Sequence, residues 1–128
     1  MKKSEAVTIA NNCIHYIENR KIQSVWNELL PILNSKTSFQ MLDIIGRKMG
    51  GRILLQKENY LNFFDQLSKE KLMGGYVIIA QALIYLLPND FNECFIRTKK
   101  YMIEGDQWYV CDIFGERVLV ELTRGKEC

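Results

Sequence analysis

The chain has 128 residues, 48% of them hydrophobic and 25% charged, and 17 basic against 15 acidic side chains give a net charge of +2. This length predicts one domain, residues 1–128, which can bury a core without disulfide or metal crosslinks. A charge so close to balance does not demand nucleic acid as a partner, so any DNA binding must depend on local basic clusters. We expect no membrane span and no secretory signal, because no apolar run has the required length.

The cysteines are far apart in the sequence, at Cys13, Cys94, Cys111 and Cys128, and His15 is the one histidine. Zinc sites need ligands in close pairs, so we expect no metal site. The first three cysteines stand among apolar neighbours and are interpreted as small core residues, whereas the terminal one is expected to be exposed. Reduced thiols in a core favour a cytoplasmic location.

Helical patterns cover the chain, since few prolines and glycines interrupt it and no stretch alternates apolar and polar residues for long. The first helix is predicted to run from Ser4, as the N-cap, to about Asn19. A second helix is predicted from Ser24 to Leu33. Its end stays open, because Pro31 either breaks the helix or opens a new turn.

The third predicted helix is capped by Ser38, and two glycines end it at residues 50–51. The basic residues Arg47, Lys48 and Arg52 cluster at its C-terminal end. Two interpretations are open for them. Cations at this position complement the helix dipole, or they contact DNA phosphates from a concave surface.

The most apolar stretch is Gly75–Leu87, which follows a helix predicted over about Glu58 to Leu67. Because Gly75–Leu87 is apolar nearly all round, we expect it to be a buried helix at the centre of a layered stack. Asp90 then caps the next helix, whose residues Lys99 and Lys100 lie away from its apolar face. They are either a solvated surface or one flank of a cleft that faces DNA.

The stretch from residue 101 to 122 carries the most specific pattern. Gly105 is expected to end one helix in the left-handed conformation and Asp106 to cap the next. Apolar spacing in the new helix then predicts a core stripe of Trp108, Cys111, Gly115, Val118 and Leu122. Asp112 lies one turn after Trp108 on the same face. Ordinary explanations are core packing for Trp108 and, for Asp112, an ion pair with a lysine of the preceding helix.

A tryptophan followed four residues later by an aspartate, at the start of a helix after a short turn, resembles the motif of the HEAT-like DNA alkylation repair family. This family includes glycosylases that remove alkylated purines. The resemblance extends from about Phe39 to Leu122, but only Trp108 and Asp112 are specific to it. The chain departs from the family at residues 73–75. It also ends well before the family's usual length, so we expect a short or C-terminally truncated member.

Seven or so predicted helices joined by short turns favour either a compact bundle or a short right-handed solenoid of helix pairs. The resemblance implies the second, an all-α fold in which antiparallel helix pairs stack as a short HEAT-like α-solenoid. About three units of roughly 40–47 residues fit the turns predicted at 34–37, 68–75 and 104–106. The resemblance also implies that Asp112 is catalytic, that Trp108 contacts the lesion and that no cofactor is needed. The partner would be duplex DNA of any sequence, with its backbone held by five basic residues: Arg47, Lys48, Arg52, Lys99 and Lys100.

The chemistry expected of such a protein is release of a cationic N3- or N7-alkylated purine. Because that base leaves without a general acid, the barrier is mainly oxocarbenium character on the sugar, which a fixed carboxylate stabilises. The alternative function is a non-catalytic helical-repeat scaffold that binds DNA or another protein. A third interpretation is one part of a longer enzyme whose later repeats are missing. Lesion preference and oligomeric state stay open.

Overall fold

The computed structural model describes residues 1–121, in which seven α-helices follow one another through short turns. The helices are α1 (Lys3–Glu18), α2 (Ile22–Leu33), α3 (Phe39–Gly50), α4 (Lys57–Lys69), α5 (Met73–Leu83), α6 (Phe91–Gly105) and α7 (Trp108–Phe114). A 3-10 turn, Ile84–Leu86, follows α5, and a π-helical segment, Gly115–Leu119, continues α7. Residues 1–121 contain no β-strand.

The helices lie in two layers. In one layer, α1, α3, α5 and α7 pack side by side in that order. The other layer consists of α2, which packs on α1 and α5, then α4, and finally α6, which packs on α4 and α7. Alternation of successive helices between two layers is how helical-repeat proteins bury a continuous core. The predicted all-α fold of stacked helices is confirmed.

The central element is α5. Every residue from 74 to 80 is buried, and so are Ala82 and Leu83. A helix buried on nearly all sides has no polar face to turn to water, which explains why its sequence is almost wholly apolar. The prediction that Gly75–Leu87 is among the most buried stretches is confirmed, although the α-helix ends at Leu83 and the 3-10 turn continues the run.

The closest helix contact joins α3 to α5. A Cβ atom added at Gly46 would lie 2.7 Å from the carbonyl oxygen of Ile78 and 2.8 Å from Cβ of Gln81. A Cβ atom added at Gly50, one turn later, would lie 3.0 Å from the carbonyl oxygen of Ala82 and would meet the ring of Tyr85 in the 3-10 turn. Because neither glycine carries a side chain, the two backbones approach each other closely, and α3 is held in a defined position beside α5.

Two of the predicted N-caps are confirmed. The side chain of Ser38 accepts a hydrogen bond of 3.4 Å from the backbone N–H three residues later, and Asp90 accepts one of 3.1 Å in the same manner. The predictions for Ser4 and Ser24 are wrong. Helix α1 already begins at Lys3 and α2 at Ile22, so both serines lie inside the first helical turn.

Candidate functional site

The turn between α6 and α7 differs from the prediction. Gly105 is the last residue of α6, whereas Asp106 takes the left-handed conformation, with φ 46° and ψ 39°. Asp106 does not cap α7 either, since the extended residue before that helix is Gln107. The reason lies in packing. A Cβ atom at Gly105 would lie 2.8 Å from the Cγ2 atom of Val110, so glycine is needed there for contact and the next residue makes the turn.

The buried face of α7 is also not the predicted one. Val110, Ile113 and Phe114 are buried, as is Val118 in the π-helical segment, whereas Trp108 is 76% exposed. The predicted stripe is therefore correct at Val118 and wrong at Trp108 and at Cys111. Its last residue, Leu122, lies outside the described residues.

Aromatic packing decides the rotation of α7. The ring of Phe114 lies 6.4 Å from the ring of Tyr76 in α5 and 6.4 Å from that of Tyr101 in α6. Because Phe114 fills this space, Trp108, on the opposite side of the helix, faces solvent. Of the cysteines interpreted as core residues, Cys13 and Cys94 are buried as predicted and Cys111 is exposed. The position of Cys128 lies outside the described residues.

Trp108 and Asp112 thus lie one helical turn apart on the outer face of α7, and both are exposed. The indole ring meets the ring of Tyr109 edge-on, with centroids 6.0 Å apart. Within residues 1–121, the carboxylate of Asp112 has neither a hydrogen bond nor an ion pair. Trp108 therefore does not pack in the core, and no lysine of α6 pairs with Asp112.

A groove of about 380 Å³ runs beside this face, between α6 and the α7 region. Its lining is almost entirely apolar and consists of Phe95, Thr98, Lys99, Met102, Ile103, Cys111 and Leu119. Cys111, the residue before Asp112, is the contribution of α7 to this lining, and neither Trp108 nor Asp112 is among the lining residues. Lys99 is the one cation among the lining residues.

The five basic residues expected to hold DNA occupy different surroundings. Arg47 and Lys48 are exposed and line one groove together, whereas Lys99 lines the apolar groove. Arg52 forms an ion pair with Glu18, with 2.7 Å between Nη2 and Oε1. Lys100 forms one with Asp65, with 3.3 Å between Nζ and Oδ1. Of these five, only the first two are brought together.

The carboxylate that engages Arg52 belongs to a cluster between α1 and α4. Glu18 accepts hydrogen bonds of 2.7 and 2.9 Å from Arg52 and one of 2.6 Å from the hydroxyl of Tyr60. The bond from Arg52 is the main reason that the pKa of Glu18 lies below its ordinary value. Burial raises the pKa of Tyr60, and the hydrogen bond to the negatively charged Glu18 raises it further.

A second cluster of the same kind joins α4 to α6. Asp65 accepts bonds of 2.8 Å from Arg97 and 2.7 Å from the hydroxyl of Tyr101. Burial alone would raise the pKa of Asp65, but the bonds from Tyr101 and Arg97 outweigh burial and lower it. The sequence reasoning missed both clusters. A signal was present, since a tyrosine on an otherwise apolar helix face needs a partner for its hydroxyl.

Within residues 1–121, no group of three His, Cys, Asp or Glu side chains is placed to hold a metal ion. No helix in this range is long and apolar enough to cross a membrane. The resemblance to the HEAT-like alkylation repair family rests on residues of the chain itself. No family model matches the sequence, and no curated protein or solved structure matches it either.

Proposed function

We propose that this chain is a helical-repeat protein of DNA alkylation repair, in which Trp108 and Asp112 face an alkylated nucleotide. The observation that carries the proposal is an exposed indole one turn from an exposed carboxylate that has no partner among residues 1–121. An exposed ring contributes little to stability, because it keeps most of its apolar area in water. Packing and ion pairing, the two structural explanations for this pair, therefore do not account for it.

The position of Asp112 suits electrostatic stabilisation of a sugar cation. The opposite face of α7 is anchored in the core by Val110, Ile113 and Phe114, so the backbone that carries Asp112 is held in place. A carboxylate fixed beforehand stabilises developing positive charge without reorganising during the reaction. Trp108, on the same face, offers its ring to the cationic base, a contact worth roughly 0.5–2 kcal/mol.

The experiment that tests this function measures release of free base from duplex DNA that carries N7-methylguanine. We expect the rate of base release with the purified protein to exceed the spontaneous rate measured on the same DNA without protein. DNA with unmodified guanine is the control, because a neutral purine would need a general acid to leave. Release at the spontaneous rate from both substrates would contradict the proposal.

The second candidate function is a non-catalytic helical-repeat scaffold, and the α6–α7 groove favours it. An apolar groove of about 380 Å³ suits an apolar segment of a partner better than a phosphate backbone. Arg52 and Lys100 are also engaged by carboxylates, which reduces the positive charge available to DNA. If the protein binds DNA but releases no base, a DNA-binding scaffold is favoured. If it neither binds DNA nor releases base, a scaffold for a protein partner is favoured.

A further inference from the structure

A small groove lies on the surface between the end of α3 and the 3-10 turn. Its volume is about 280 Å³, and its lining residues are Ile44, Arg47, Lys48 and Tyr85. No acidic residue is among these four. The groove therefore combines two cations, an aromatic ring and an apolar floor.

The ring of Tyr85 is held in place by the backbone of α3. A Cβ atom on Gly50 would overlap the Cδ1 atom of this ring and would lie 2.8 Å from its Cε1 atom. Any other residue at position 50 would push the ring away. Tyr85 as a whole residue is nevertheless 37% exposed, and it lines the groove.

The two cations in the groove lack counter-charges. Within residues 1–121 neither Arg47 nor Lys48 forms an ion pair, although Arg52, Arg97 and Arg117 each do. Their position at the C-terminal end of α3 suits positive charge. The dipole explains two cations there, but it does not explain an aromatic ring fixed beside them.

The backbone carbonyl groups at the C-terminal end of α3 do not compete with an anion for Arg47 and Lys48. The carbonyl oxygens of Arg47, Met49 and Gly50 accept backbone hydrogen bonds from residues 51, 52 and 53 in turn. Since the turn after α3 uses these acceptors, the charged groups of Arg47 and Lys48 remain available to an anion from solvent.

We infer that this groove binds one unpaired nucleotide of a nucleic-acid strand. The phosphate is held by Arg47 and Lys48, and the base stacks on the ring of Tyr85, because every base has a face that can stack on an aromatic side chain. The inference rests on the proposed function for its ligand class, with DNA as the strand. It adds a second contact, made by residues other than Trp108 and Asp112, which takes an unpaired nucleotide beside the duplex and sets affinity without sequence preference.

The test is fluorescence anisotropy with an end-labelled single strand of undamaged DNA, about ten nucleotides long, at low salt. We expect Arg47→Gln combined with Lys48→Gln to weaken binding at least about tenfold. The matched control is Lys36→Gln with Lys69→Gln, which removes the same charge from two exposed lysines elsewhere and should change affinity less than about twofold. An equal loss in both pairs would overturn the inference, since only diffuse charge would then be acting.

The ring is tested separately. Tyr85→Phe keeps the stacking surface and should bind as the wild type does, whereas Tyr85→Leu should weaken binding at least about fivefold. An abasic strand with the same number of phosphates tests the ring without altering the protein, and it should also bind the wild type more weakly. Unchanged binding of Tyr85→Leu or of the abasic strand would overturn the role of the ring.

Two further arms identify the source of the phosphate and separate this inference from the proposed function. A free nucleoside monophosphate should bind more weakly than the strand; a monophosphate that binds as tightly as the strand, or tighter, would overturn the assignment to a strand. Strand binding is measured on undamaged single-stranded DNA, whereas base release is measured on the methylated duplex. A failure of base release therefore leaves the strand-binding result interpretable, and a failure of strand binding leaves base release untouched.

Discussion

At the scale of single residues, α7 shows how two apolar sets compete for one core. One set contains Trp108 and Cys111, and the other contains Val110 and Phe114; both have the spacing of a helix face. Sequence spacing does not distinguish them. The choice depends on the space between Tyr76 and Tyr101, which the ring of Phe114 fills and which is built by residues of other helices.

This arrangement predicts opposite effects for two aromatic truncations. Phe114→Ala should lower the free energy of unfolding by about 3–5 kcal/mol, because it opens a cavity in the core. Trp108→Ala should change it by less than about 0.5 kcal/mol, as expected for an exposed side chain. Chemical denaturation of both variants measures these values.

A comparable loss of stability in both variants would contradict the exposed position of Trp108. The comparison also decides how activity data are interpreted. If Trp108→Ala remains as stable as the wild type, any change in its base release reflects contact with the nucleotide and not unfolding.

At the scale of helices, the sequence located the elements better than their ends. Ser38 and Asp90 were recognised as caps, because each precedes a new apolar stripe and accepts the N–H three residues on. Ser4 and Ser24 carry the same chemistry but lie inside the first turn of α1 and α2. Serine suits both places, so its identity alone does not show where the backbone starts to turn.

The central position of α5 predicts a large effect for Leu83. Its side chain is fully buried, so Leu83→Ala should lower the free energy of unfolding by about 2–5 kcal/mol. Leu55→Ala is the matched control; its side chain is exposed, and the change should stay within about 0.5 kcal/mol. If thermal melts of the two variants coincide, α5 is not the centre of the core.

At the scale of the whole molecule, carboxylates join the helices and make stability depend on pH. Glu18 links α1 to α4, and Asp65 links α4 to α6; both have a lowered pKa in the folded protein. Below the ordinary pKa of about 4, these carboxylates are protonated in the unfolded chain but still ionised in the folded protein, so acid favours unfolding. Their contribution to stability is therefore complete above that range and is lost as the pH falls through the folded values.

Thermal melts between pH 7 and pH 3 measure this dependence. We expect the melting temperature to fall steeply below about pH 4. In Asp65→Asn the melting temperature at pH 7 should already be lower, and the further fall on acidification should be smaller. A melting temperature that does not respond to acid would contradict the proposed role of the two clusters.

The buried centre is predictable from the sequence because Gly75–Leu87 is apolar nearly all round, whereas the stacking of helix pairs is an expectation of the family resemblance. The ion pairs between layers did not, because they join residues more than thirty positions apart, such as Arg52 with Glu18. Trp108 and Asp112 are singled out by their spacing together with the family resemblance, and not by spacing alone. Their exposure depends on how α7 rotates, which only the packing of the whole molecule determines.

The most direct test of the proposed function is the rate of N7-methylguanine release from duplex DNA by Asp112→Asn. This substitution keeps the shape of the side chain and removes its charge. We expect the rate to fall at least about a hundredfold, the order for loss of one preorganised electrostatic contact. Asp106→Asn is the matched control: Asp106 is also exposed, and asparagine tolerates its left-handed backbone, so release should stay near that of the wild type. Release by folded Asp112→Asn at the wild-type rate would contradict a catalytic role for this carboxylate.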